Sequence, residues 1–213
     1  MLDIYRSGNP CVSVIMATYN RANYLDRSIP SFINQTYKNC ELLVVDDGSE
    51  DDTFQKVSSY MDNHDNIRYL KHTNRKLSLT KNAGIKAAIG KFIAFLDSDD
   101  EYKPDYLEKR IQFMEANESV DLIEGGALII GDPYVKNKYD MTKKIHLSEC
   151  PIGPTIFGKA EAFAKLEGFD KNIFYSEDSY FWEKAQKILN VKKFDHLSYI
   201  YYRDTPGSIC NTV

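Results

Sequence analysis

The sequence predicts an α/β fold: a mostly parallel central sheet with helices on both faces. Three observations carry this. Up to residue 100, short apolar runs alternate with amphipathic stretches in the order β-α-β-α-β-α-β, the pattern of parallel strands joined by crossover helices. Two of the apolar runs, residues 41–45 and 92–96, stop abruptly at clustered aspartates, which places carboxylates at the edge of an open sheet where ligands bind. The length of 213 residues suits one substantial core.

Residues 12–17 (VSVIMA) are apolar and rich in β-branched side chains, a first and central strand. Thr18, Tyr19 and Asn20 form its polar stop. Leu25, Ile29, Phe32 and Ile33 recur at helical spacing, and Pro30 among them predicts a kink or early break. Residues 41–45 (ELLVV) are the second strand, running into Asp46, Asp47 and Gly48. Phe54, Val57 and Met61 mark the next helix, and residues 67–70 a short third strand. Residues 71–79 are basic and polar. Residues 80–89 read as a helix despite Gly84, and Gly90 ends it.

Residues 92–96 form the fourth strand. It ends in Asp97, Asp99 and Asp100, with Pro104 opening a helix that continues through Tyr106, Leu107, Ile111 and Met114. On the residues alone, two readings of these acids stand: oxygen ligands for a divalent cation completed by a substrate phosphate, or an acidic turn with one capping aspartate. The second half alternates less clearly. Residues 122–130 suggest a strand interrupted by Gly125 and Gly126, residues 132–146 a lysine-rich loop over one face, and residues 155–157 a short strand. Residues 159–165 suggest a short helix. A further helix carries Tyr180, Phe181, Trp182, Ala185 and Ile188, preceded by Ser176, Glu177 and Asp178. Residues 197–202 (LSYIYY) read as a late strand, and residues 203–213 as a loop-like tail.

Composition excludes several classes. A formal charge of -4 gives no electrostatic case for nucleic-acid binding. Cys11, Cys40, Cys150 and Cys210 are far apart and form no CxxC pair, so neither a zinc knuckle nor a redox pair is expected. Free thiols fit a reducing compartment. Residues 1–10 carry no apolar signal region and no run approaches bilayer length. The expected location is cytoplasmic, with peripheral contact at the inner face of the membrane left open. The histidines show no ligand spacing.

The order and spacing of five segments are specific. They are residues 12–29 (VSVIMATYNRANYLDRSI), 41–53 (ELLVVDDGSEDDT), 77–107 (LSLTKNAGIKAAIGKFIAFLDSDDEYKPDYL), 168–185 (GFDKNIFYSEDSYFWEKA) and 201–209 (YYRDTPGSI). In these the chain resembles the inverting, nucleotide-sugar-dependent glycosyltransferases of family 2, which have the GT-A fold. The resemblance implies a single Rossmann-like GT-A domain with a nucleotide-sugar-binding half over residues 1–110 and an acceptor-binding half over residues 111–213.

It also implies roles. Ala17 and Tyr19 would seat the nucleotide base, with the tyrosine ring as a stacking surface. Asp47 would accept the uracil ring N–H of a UDP-sugar. Arg75 and Lys81, flanking a helix start, are candidates for phosphate-side charge. Asp97 or Asp99 would contact ribose or pyrophosphate. Asp99 or Asp100 would ligate Mn2+ or Mg2+. Asp178 matches the general base that deprotonates the acceptor hydroxyl, and Glu177 would orient its loop or an acceptor hydroxyl. The implied acceptor is a glycan or lipid-linked saccharide in surface-polysaccharide assembly. Gly153, Pro154, Thr155 and Phe157 fall where the family builds the floor near donor and acceptor, and Arg203 where it places a basic tail residue. Trp182 has two readings, a sugar-stacking face or a core side chain. The chain departs from the pattern in having Lys76 where a glycine is common, and Thr80-Lys81 where an alanine–arginine pair is common.

Two other classes compete with this reading. A nucleotidyltransferase would need a glycine-rich loop after the first strand, where the chain has ATYNRA. A non-catalytic nucleotide-sugar or glycan-binding module would keep the fold and lose the chemistry.

Overall fold

The computed structural model describes residues 9–206. Most of the expected leader (residues 1–8), and the tail from residue 207 with Cys210, lie outside the described residues.

Among the described residues, seven strands form one sheet, in the order β11 (Val191–Lys193), β6 (Leu122–Glu124), β10 (Phe157–Lys159), β4 (Phe92–Phe95), β1 (Val12–Thr18), β2 (Cys40–Asp46) and β3 (Ile67–Lys71). One side of it is the four predicted strands, β4, β1, β2 and, at the edge, β3. β1 lies parallel between β2 and β4, and β2 pairs parallel with β3. β1 and β2 are buried along nearly their whole length because both sheet faces are covered.

The period of two divides each strand between two cores. Val12, Val14 and Met16 face a core that includes Leu25, Ile29 and Phe32 of α1 (Leu25–Ile33). Val57 of α2 (Thr53–Met61) and Tyr106, Leu107, Ile111 and Met114 of α4 (Tyr106–Ala116) complete that layer. Ile15, Leu43, Val45, Ile93 and Phe95 point the other way. They pack against α3 (Leu77–Ala87), α5 (Ala160–Lys165) and α6 (Glu177–Ile188). Trp182 lies in this second core, which decides between its two readings in favour of packing. Pro30 does not break α1: the amide of Asn34 donates to the Pro30 carbonyl at 3.0 Å, so the helix runs on past it.

The second half differs from expectation in three places. Residues 122–130 are two strands in two sheets, β6 (Leu122–Glu124) and β7 (Ala127–Ile130). Gly125 and Gly126 sit at φ 110° and 77°, a turn open chiefly to glycine. A Cβ on Gly126 would lie 2.2 Å from the His196 carbonyl. Residues 132–146 form a hairpin, β8 (Tyr134–Asn137) with β9 (Asp140–His146), rather than a loop. Neither strand has a buried face, so no apolar alternation announces it. The predicted strand at residues 155–157 is a 3₁₀ turn, Gly153–Thr155, followed by β10 (Phe157–Lys159). β10 inserts antiparallel between β4 and β6. β11 (Val191–Lys193) extends the sheet beside β6, and β12 (Tyr199–Tyr202) lies between β7 and the two-residue β5 (Glu101–Tyr102).

Candidate active site

The carboxyl ends of β1, β2 and β4 open on one cavity of about 390 Å³. Its wall is completed by the turn at Gly153–Thr155 and the start of α6. The topology therefore gathers most of the sequence-predicted residues. Ala17, Tyr19, Asp47, Lys81, Asp97, Asp99 and Asp178 all line it; Arg75 and Asp100 do not.

Tyr19 is 46% exposed, its ring open to a ligand. The neighbouring Thr18 hydroxyl is buried with no hydrogen-bond partner among the described residues, a polar atom in the same wall that the motif reading passed over. Asp46 is wholly buried, taking the Ser49 amide at 2.7 Å and the Tyr69 hydroxyl, so it organises the turn. Asp47 reaches across to the loop before α3, where its carboxylate accepts the amides of Arg75 at 2.6 Å and Lys76 at 2.9 Å. Arg75 thus enters the site through its backbone, and its exposed side chain stands outside the cavity. Lys76 holds φ 74°, ψ 164°, a backbone region kept almost entirely for glycine. This is the position where the resembling sequences commonly have that residue.

The three acids after β4 part company. Asp97 and Asp99 face the cavity. Asp99 receives the Thr205 hydroxyl; burial raises its pKa while Arg21, Arg27 and its hydrogen bonds pull it back. Asp100 is 0% exposed. One of its oxygens accepts the Tyr199 hydroxyl at 2.7 Å and the other the Tyr202 amide at 2.8 Å. Asp100, expected with Asp99 as a candidate metal ligand, ties the acidic turn to β12: its carboxylate turns inward with one donor on each oxygen.

On the opposite wall, α6 begins with Glu177 and Asp178 after Ser176, which sits in the left-handed region at φ 57°. Asp178 accepts the amides of Gly153 at 2.8 Å and of Ser179 at 2.7 Å. A Cβ at Gly153 would come 2.9 Å from the Asp178 side chain, so glycine is what lets the turn approach. Lys81 is buried, its ammonium 2.9 Å from Glu177. Burial opposes that charge, but Glu177, Asp97 and Asp178 outweigh it and raise the Lys81 pKa. Asp178 is pushed up to about 6, first by burial and then by Glu177, against the pull of Lys81 and the two amides. Burial also pushes Asp97 up to about 6, with Lys81 opposing and the neighbouring carboxylates adding to it. Asn82 holds the Phe169 backbone through two 2.8 Å bonds. Arg203 is buried, donating to the Asp132 carbonyl just before β8 and to the Tyr134 carbonyl at its start.

No group of three or more His, Cys, Asp or Glu side chains able to hold a metal occurs among the described residues. The cavity offers two carboxylates from one turn, Asp97 and Asp99. That donor set is hard and incomplete. It fits a magnesium- or manganese-type ion only when substrate phosphate oxygens supply further ligands.

Residues 13–167 match the family described as Glycosyl transferase family 2. An uncharacterized glycosyltransferase of Rickettsia prowazekii is 32% identical over 217 residues, covering 96% of this chain and 67% of the relative. One of Rickettsia felis is 36% identical over 184 residues, covering 80% of this chain and 29% of the relative. Among solved structures, S. aureus TarS in complex with UDP-GlcNAc superposes with a TM-score of 0.78 at 23% identity, over 93% of this chain and 60% of that one. Mannosyltransferase PcManGT from Pyrobaculum calidifontis, in complex with GDP-Man and Mn2+, gives a TM-score of 0.74 at 21% identity, over 94% and 59%. The chain thus spans from under a third to about two thirds of the length of these proteins. The shared architecture is the GT-A fold, and on the match that runs from β1 through α5 the chain belongs to glycosyl transferase family 2.

Proposed function

We propose that the protein transfers a sugar from a nucleotide-diphospho-sugar, UDP-linked, to a hydroxyl of a glycan or lipid-linked saccharide, inverting the anomeric centre. One observation carries the proposal. A single cavity sets Asp178, held by two amides and with its pKa raised to about 6, together with Asp97 and Asp99, with the buried Lys81 ammonium paired to Glu177 beside Asp178. A base whose pKa lies close to neutral is well matched to taking a proton from an attacking hydroxyl.

In this reading residues 1–110 hold the donor and residues 111–213 the acceptor. Tyr19 stacks on the base while Ala17 and Asp47 border it. Asp97 contacts ribose or pyrophosphate. The acceptor oxygen bonds to C1 as the bond from C1 to the phosphate oxygen breaks. The hydroxyl proton passes to Asp178, and the electron pair leaves with the nucleoside diphosphate. A manganese or magnesium ion held by Asp99, with Asp97 beside it, would neutralise charge developing on that leaving group. The complexes of TarS with UDP-GlcNAc and of PcManGT with GDP-Man and Mn2+ support a nucleotide-sugar and a divalent cation here. A lipid-linked acceptor would bring the protein to the inner face of the membrane; among the described residues no helix is long and apolar enough to cross it.

The test is a screen of UDP- and GDP-sugars with Mn2+, reading release of the nucleoside diphosphate from the native protein and from Asp178→Asn. One UDP-sugar should turn over, with the variant slower by roughly a hundredfold or more while still binding donor. Equal turnover in both proteins removes Asp178 from the role of base. Donor binding without turnover by the native protein replaces the enzyme with a nucleotide-sugar-binding module.

A further inference from the structure

The acidic turn and the turn that holds Asp178 come from distant parts of the chain, yet both are fastened to the same buried aromatic group. Tyr102, Tyr106 and Tyr199 are each 3% exposed or less. The rings of Tyr102 and Tyr106 stack at 3.7 Å, and Tyr199 meets them edge-on at 5.7 and 5.9 Å. Each hydroxyl ends on a functional segment. Tyr199 donates to Asp100 at 2.7 Å and accepts the Asp97 amide at 3.2 Å. Tyr102 donates to the Phe95 carbonyl at 2.6 Å, in the strand that delivers the acids. Tyr106 donates to the Pro154 carbonyl at 3.3 Å, one residue from the Gly153 amide that binds Asp178.

We infer that Tyr106 and Tyr199 are positioning residues, and that through their shared stack the acidic turn and the base turn are held in one fixed relation. The physical ground is that a close-packed interior transmits displacement instead of absorbing it. A shift of the Tyr199 ring to follow Asp100 has to move the Tyr106 ring, and with it the Gly153–Thr155 turn. Tyr199 has a second task. Asp100 is buried, and a buried carboxylate needs its donors. Removing the Tyr199 hydroxyl leaves one Asp100 oxygen without a donor and frees the Asp97 amide, in the turn that carries Asp99.

The inference rests on the transferase reading for its kinetic consequences and on the fold alone for its mechanical ones, so two measurements separate them. Tyr199→Phe and Tyr106→Phe keep the rings and delete only the hydroxyls. With the UDP-sugar found active and Mn2+, Tyr199→Phe should raise the donor KM roughly tenfold, about the size of one lost buried hydrogen bond in the turn that carries Asp97 and Asp99. Tyr106→Phe should lower kcat by a similar factor and leave the donor KM in place. In the double variant the two effects should fall short of multiplying, by at least about threefold in kcat/KM, the signature of coupled sites.

The second measurement is amide hydrogen exchange on the ligand-free proteins. Each single variant should speed exchange at both turns: Asp97 in Tyr106→Phe, and Gly153 in Tyr199→Phe. Exchange that rises only at each variant's own turn, or effects that multiply fully in the double variant, overturns the inference. If the native protein turns over no nucleotide-sugar, the transferase reading fails, and the exchange data alone decide whether the two turns are coupled.

Discussion

At the level of single residues, the cavity gathers carboxylates around the buried Lys81 ammonium, with Arg21 and Arg27 acting on Asp99. Lys81 is the buried cation among Asp97, Glu177 and Asp178, and it lowers the pKa of both aspartates. Lys81→Met removes that pull, so the Asp178 carboxyl should hold its proton to higher pH than about 6. The acid limb of the pH–rate profile is expected to move upward in Lys81→Met and to stay near the native position in Lys81→Arg. A limb that does not move in Lys81→Met separates Lys81 from the base. Lys76 makes a different prediction. Its φ of 74° with ψ 164° costs a non-glycine residue about 1–3 kcal/mol. Lys76→Gly should therefore stabilise the fold by about 1 kcal/mol after glycine's own entropic penalty, measured by urea unfolding. The strand-end acids Asp97 and Asp99 were legible from their neighbours, whereas Asp178, at a helix start where an acid also reads as a cap, was singled out only by the family resemblance. The sequence could not tell that Asp100 faces inward. Its partner Tyr199 lies 99 residues away, and nothing local reports which way a carboxylate turns.

Secondary-structure elements were legible in proportion to how completely they are buried. β1, β2 and β4 are continuous apolar runs because helices cover both of their faces, and their predicted and observed bounds nearly coincide. The β8–β9 ribbon was not legible. It is fastened by its tip and flank instead of by a core: Lys138 reaches Glu183 at 2.7 Å and Tyr180 at 4.1 Å, Tyr139 reaches Glu183, and Tyr175 donates to the Lys136 carbonyl at 2.7 Å. β11 and β5, of three and two residues, are too short to carry a pattern. Helix α3 shows how closely an element can approach the sheet. A Cβ on Gly84 would lie 2.4 Å from Ile15 Cγ2. Gly84→Ala, which raises helix propensity by about 1 kcal/mol in isolation, should here destabilise by about 1–3 kcal/mol through overpacking. A lower thermal midpoint is the expected reading, and a rise would mean that α3 moves away from β1 freely.

For the molecule as a whole, the acids around the cavity set the pH dependence of stability. Asp97 and Asp178 are pushed up to about 6, and Asp99 and Asp100 are raised as well. A carboxyl whose pKa is higher folded than unfolded favours the fold while it is protonated. Its contribution is full below the unfolded value and is lost as pH rises through the folded one. The lowered carboxyls, such as Asp26, Asp51 and Glu183, act in the opposite sense and only in more acidic solution. The ligand-free protein should therefore unfold at a lower temperature at about pH 8 than at about pH 5. Mn2+ with UDP should recover part of the difference, since a ligand bound only by the folded state stabilises it. An unchanged midpoint across that range would contradict the raised values. The tie between Asp100 and β12 bears on how the chain comes off the ribosome. Two of the three strand ends that open on the cavity, those of β1 and β2, are made by residue 46, and the third, that of β4, by residue 95. Yet the acidic turn acquires its two inward donors only from Tyr199 and Tyr202. A nascent chain can therefore pair β1 to β4 early, but it holds an unfinished acidic turn until β12, the last described strand, has been synthesised.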